Sequence, residues 1–160
     1  MPVIIHTYHI HTYHIEMRSY RLLGWAWLVL CTLGMIATFL DQLYLPGTGF
    51  ALASLFGVYA VLSAGTFDID EYGLTHQSSF GKWHIRWDEI TKVEIGEVEG
   101  TLVLHGSNKR FILSSPGWWS AAEKEAAFAF VVKQLETRNI PPQPSRTAGY
   151  KMMKNTRVAH

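Results

Sequence analysis

The chain has 160 residues, 14 Lys and Arg against 13 Asp and Glu, and a formal net charge of +1. That length accommodates one small domain plus an anchor. A single cysteine, Cys31, excludes an intrachain disulfide and a cysteine-based zinc site, and its place in an apolar run makes it a small packing residue.

The first seventeen residues are rich in His and Tyr. HTYHI occurs twice in tandem, placing His6, His9, His11 and His14 within nine residues. Neutral imidazoles suit zinc, copper or nickel, so these four are the metal-ligand candidates. Glu16 is the only acidic neighbour, and no periodicity brings all four to one face, so a duplicated segment without a ligand is the plainer reading and no metal or other cofactor is implied. A start at Met17 would give MRSYRLLGW, a natural opening for an anchor, and residues 1–16 are expected to be dispensable for folding.

Residues 18–65 read as a transmembrane helical hairpin. Residues 22–40 hold nineteen positions without one charged side chain, and a second apolar run covers residues 50–65. About 20 apolar residues match the hydrocarbon thickness of a bilayer. The first run is long for a signal-peptide core and has no small-x-small cleavage site after it, so it is expected to be retained. Arg18 and Arg21 precede the first run, the connecting DQLYLPGTG has no Lys or Arg, and Lys82, Arg86 and Lys92 follow the second. This asymmetry predicts a multi-pass protein of the inner plasma membrane with its N-terminus and C-terminal domain both cytoplasmic. Gly24, Gly34, Gly57, Ala60 and Ala64 permit close approach within the hairpin.

Residues 66–140 change to a strand pattern. Phe67 and Ile69 alternate with Asp68 and Asp70, and Trp83, Ile85 and Trp87 alternate with His84 and Arg86. With LTHQSSF, the stretch from Ile90 to Ile95, TLVLH and KRFIL, about six short strands are expected at hairpin spacing. Trp87 is expected in the core. Ser120 and Glu123 form a capping box before a helix whose stripe is Phe128, Val131, Val132 and Leu135. Residues 141–160 carry three prolines, four cations and no acid, and read as a disordered basic tail.

The segments FDIDEYGL (67–74) and IRWDEI (85–90), set behind two apolar helices, resemble the bacterial pleckstrin-homology-like membrane proteins, in particular the YcxB-like group. The resemblance covers most of the chain, from Arg18 to Asn139. It implies an α+β membrane protein: a two-helix hairpin, then a small, partly open antiparallel β-barrel of about seven strands with a C-terminal capping helix. It transfers no catalytic residues.

Charge decides among functions. Residues 66–140 hold eleven acids against eight bases, a net of −3, which offers no basic patch for nucleic acid. Asp68, Asp70 and Glu71 occupy the hairpin where a phosphoinositide would bind, with only His76 and Lys82 as nearby cations, so specific phosphoinositide binding is not expected. Ser78, Ser79, His76, His84 and Asp88 supply the residue types of a hydrolase triad, but no nucleophile elbow. The expected function is therefore non-enzymatic: a membrane-anchored interaction or assembly module, integral to the lipid bilayer, engaging a protein partner or a second copy. Trp118 and Trp119 are the candidate interaction residues, with core packing or docking on the bilayer surface as their alternatives. The other two readings are an electrostatic membrane sensor working through the basic tail and a metal-binding membrane protein using the histidine repeat.

Overall fold

A computed structural model describes residues 12–158. Its elements run β1 (Tyr13–Glu16), α1 (Arg18–Leu40), α2 (Tyr44–Ser63), β2 (Thr66–Ile69), β3 (Gly73–Ser78), β4 (Gly81–Arg86), β5 (Lys92–Gly96), β6 (Leu102–His105), β7 (Arg110–Leu113), α3 (Lys124–Thr137) and β8 (Pro142–Ser145). The architecture is α+β: two long apolar helices set into two four-stranded sheets.

Both helices are long and apolar enough to cross a membrane, at about 35 and 30 Å. Only 11% and 17% of their apolar windows are buried, so neither is the core helix of a globular domain. Leu22, Leu30, Leu45 and Leu52 are more than 60% exposed. The second helix starts at Tyr44, earlier than the sequence suggests, because Pro46 sits in its first turn, where a missing N–H costs no helical hydrogen bond. The helices meet over small residues. A Cβ built on Gly57 would stand 2.9 Å from the backbone nitrogen of Leu28 and 3.0 Å from the carbonyl oxygen of Gly24. Trp27 donates its indole N–H to the Ala53 carbonyl at 2.9 Å, a second tie between them.

The hairpin is inserted into a sheet rather than placed before one. The first sheet has the order β1-β2-β3-β4, so β1, ahead of the helices, pairs antiparallel with β2, behind them. Only Met17 separates β1 from α1, and only Ala64 and Gly65 separate α2 from β2. Gly65 is needed there: a Cβ would come 2.0 Å from the Gln77 carbonyl oxygen. The histidine-rich segment is thus not wholly outside the domain. Ile15 is fully buried in the core, and the expectation that residues 1–16 are dispensable is corrected for β1.

The second sheet has the order β7-β6-β5-β8. Leu102, Leu104, Phe111 and Leu113 turn toward Phe67, Ile69, Leu74 and Ile85 of the first sheet, forming one core that Ala127, Val131 and Leu135 of α3 help to cover. Trp87 belongs to that core at 1% exposure, but on a short 3-10 turn (Trp87–Glu89) that ends β4; its indole N–H donates to the Asp70 carbonyl at 2.7 Å. α3 begins at Lys124, with Glu123 at its N-cap. Ser120 does not cap it: its hydroxyl oxygen accepts the Ser19 backbone N–H at 3.1 Å, at the start of α1.

The described residues after α3, up to 158, are ordered, against the expectation of a disordered tail. β8 lies parallel on β5, from Val93 opposite Pro142 to Gly96 opposite Ser145. Its prolines lack donors, which an outermost strand tolerates. Further on, Lys154 bridges to Arg110 of β7, and Arg157 to Trp83 of β4. His84 N–H donates to the Thr156 carbonyl at 2.7 Å, and Arg110 and Lys154 exchange backbone hydrogen bonds at 2.9 Å. The last segment thus stitches the edge of one sheet to the edge of the other. α3 is therefore not the final element, and the sheets draw residues from both sides of 66–140.

A cleft at the hairpin end of the sheets as candidate functional site

The ends of α1 and α2 and the two sheets flank an open cleft of about 700 Å³. Tyr20 and Tyr59 line it from the helices, Phe67, His76 and Trp83 from the first sheet, Ile112 and Ser114 from the end of the second, and Met152 and Met153 from the closing segment. The volume falls in the range of small-molecule sites, and the lining is mainly apolar with a few polar groups.

Backbone contacts hold this mouth in place. The Ser79 N–H donates to the Leu62 carbonyl at 3.2 Å, so the β3–β4 turn rests on the end of α2. Phe80 at the tip lies against Tyr59, ring centroids 5.8 Å apart. Gly81 has φ +142°, a conformation that keeps the turn tight and that an L side chain rarely adopts. Arg157 closes the same turn by donating to the Phe80 carbonyl at 2.9 Å.

His76 is the most distinctive polar group in the cleft. Its ring is stacked between Phe67 at 4.4 Å and Trp83 at 5.5 Å, and the residue is 7% exposed. Burial pushes its pKa down to about 4, against a small opposing effect of the Thr66 carbonyl. It is therefore a neutral imidazole at physiological pH and does not serve as the nearby cation that the sequence offered. With Nδ1 3.2 Å from the Thr66 carbonyl oxygen, Nδ1 carries the proton and Nε2 is left as an acceptor.

Behind the closing segment lies an ion cluster. Glu94, 7% exposed, is bonded to Lys151; Lys92 Nζ is 3.0 Å and His105 Nε2 3.5 Å from Oε1. Lys151, and after it Lys92, hold the Glu94 carboxyl down at about 2, against burial, which works the other way. Burial lowers the His105 pKa, a shift that Glu94 opposes. The cluster fixes Lys151 beside the cleft with its charge already matched.

The remaining site residues separate. Trp118 is 38% exposed, lines the cleft and meets Tyr20 edge-on at 5.5 Å. Trp119 is 2% exposed, donates its indole N–H to Ser114 Oγ at 3.1 Å and packs on Phe128, so of the pair only Trp118 offers surface. His14 Nδ1 lies 2.6 Å from Asp68 Oδ1 on neighbouring strands; His6, His9 and His11 fall outside the described residues. Among the described residues, no three His, Cys, Asp or Glu side chains gather as a metal site. The hydrolase residue types are dispersed: His84 bonds to Thr75, Asp88 to Arg86, and the Ser78 hydroxyl accepts from the Phe80 N–H. Sequence reasoning missed Met152, Met153 and Lys151. The apolar Met pair inside a polar tail was the one signal for them.

Neither family models, nor curated proteins, nor solved structures offer a match to this chain.

Proposed function

We propose that this protein is a non-enzymatic interaction or assembly module, anchored in the inner membrane by the α1–α2 hairpin, with both chain ends and the sheet domain in the cytoplasm. The observation that carries this reading is the pair of very short joints, one residue before α1 and two after α2. A domain joined so tightly to its anchor holds a set orientation at the membrane surface, which suits display of a binding face. The charge asymmetry of Arg18 and Arg21 against the uncharged-or-acidic turn Asp41–Leu43 supports the orientation. Membership of the pleckstrin-homology-like, YcxB-like group belongs to the same proposal. It is supported by a run of four strands in one sheet and three in the next, followed by a helix, with the hairpin lodged after the first strand.

Carbonate extraction should leave the protein in the membrane, and a cysteine placed at Gly106 should be labelled only after permeabilisation. Cross-linking in the native membrane should capture a partner protein or a second copy. Release by carbonate, labelling from outside, or a protein that cross-links to nothing would count against the reading. The electrostatic-sensor alternative has less to work with than the sequence suggested, since Lys151 is taken by Glu94 and Arg157 by the Phe80 carbonyl.

A further inference from the structure

We infer that the cleft between the hairpin and the sheets is a binding site for an uncharged, hydroxyl-bearing lipid of the diacylglycerol class, entering sideways from the bilayer. The inference rests on the reading of α1–α2 as membrane-spanning, since Tyr20 lies in the first turn of α1 and Tyr59 one turn before the end of α2, which places the cleft at the interface. An apolar cleft at that depth opens next to acyl chains, and Met152, Met153 and Trp118 give it an adaptable wall. The head group is selected by what the cleft offers. His76 is more than nine-tenths buried, and with Nδ1 committed to Thr66 its Nε2 has no hydrogen-bonding partner among the described residues. An acceptor in that position calls for a hydroxyl donor. A phosphate is disfavoured: the cation of the lining, Lys151, is neutralised by Glu94, and the exposed Glu99 carboxylate stands on the same rim.

The test uses the full chain in phosphatidylcholine nanodiscs containing a photoactivatable diacylglycerol with a diazirine in one acyl chain. Cross-links mapped by mass spectrometry should fall on Trp118, Met152 and Met153. Excess dioleoylglycerol should remove them, and excess dioleoylphosphatidylcholine should not. His76→Phe keeps the ring stack and removes the acceptor, and should weaken competition about fivefold, the worth of one hydrogen bond. Ser78→Phe narrows the cleft with His76 intact and should weaken labelling as well, so the outcome does not hang on one variant folding. A chain that enters the nanodisc but is labelled only along the outward faces of the helices overturns the inference and leaves the anchor standing. So does equal competition by phosphatidylcholine, or unchanged labelling in both variants. A chain that fails to enter the nanodisc overturns the anchor and the inference together.

Discussion

The Met17 backbone N–H donates to the Gly65 carbonyl at 3.1 Å, tying the residue just before α1 to the residue just before β2, two past the end of α2. This one bond closes the base of the hairpin and starts the β1–β2 ladder, where Glu16 faces Thr66 and Ile15 faces Phe67. Helix packing and sheet pairing therefore share a boundary, and damage on either side of it should be felt on the other.

Gly57→Leu tests the helix side. With the Leu28 nitrogen 2.9 Å from the position of a Cβ, the larger side chain has no room. The helices must part, at about 1–3 kcal/mol. A lowered thermal midpoint in detergent, with less disulfide cross-linking between cysteines placed on α1 and α2, is the expected result. Gly49→Leu, where no atom lies within 4 Å, serves as the tolerated control.

Ile15 tests the sheet side. It is fully buried, so Ile15→Ala should cost about 2–5 kcal/mol, a large share of the stability of a small domain. A chain beginning at Met17 loses the whole of β1 and should show early hydrogen exchange in β2, its former neighbour. Exchange in β2 that is unchanged in that chain would mean the first sheet does not depend on its edge.

Trp118 and Trp119 should behave in opposite ways. Trp119→Ala removes a 2% exposed ring and its bond to Ser114, and should cost about 3–5 kcal/mol. Trp118→Ala, at a 38% exposed position, should lower stability by no more than about 1 kcal/mol. Denaturant unfolding of the two variants side by side decides this.

Acidification should destabilise the domain in two stages. His76 titrates at about 4 when folded and near 6.5 when unfolded, so the unfolded chain binds the proton first. Its contribution is fully present above pH 6.5 and is lost as pH falls through 4, roughly 3 kcal/mol in all. Glu94, held at about 2 by Lys151, keeps its contribution above its ordinary value of 4.5 and loses it lower still. Thermal midpoints of the wild type should therefore drop between pH 6.5 and 4, and His76→Phe should make that stretch shallower, leaving the share of His105, whose pKa burial also lowers, and the drop below pH 4.

The closing segment should resist proteolysis. Ala148 is fully buried and Thr156 is 3% exposed, so trypsin should cut slowly at Lys154 and Arg157. Glu94→Gln weakens the hold on Lys151 and should accelerate those cuts several-fold.

What the amino-acid sequence determined by itself is local. Nineteen uncharged positions from 22 to 40 make a helix long enough to span a membrane whatever surrounds it, because hydrocarbon thickness is matched by length and composition alone. Alternation at Phe67 and Ile69, and at Trp83 and Ile85, marked strands for the same reason, and the Phe128-to-Leu135 stripe marked α3. Tertiary structure decided everything that joins distant residues. β1 is four residues long, and its register with β2 is set across the intervening residues 17–65 by Ile15 finding the core beside Phe67. β8 holds Pro142 and Pro144, which speak against a strand in isolation, yet an edge beside β5 asks no donor of them. Ser120 and Glu123 have the spacing of a capping box, but the nearer claim on Ser120 comes from Ser19, a contact invisible along the chain. The cleft was unreadable for the same cause. Tyr20, Tyr59, His76, Trp118 and Met153 become one surface only when two helices, two sheets and the closing segment converge, and no local pattern in any of them announces the others.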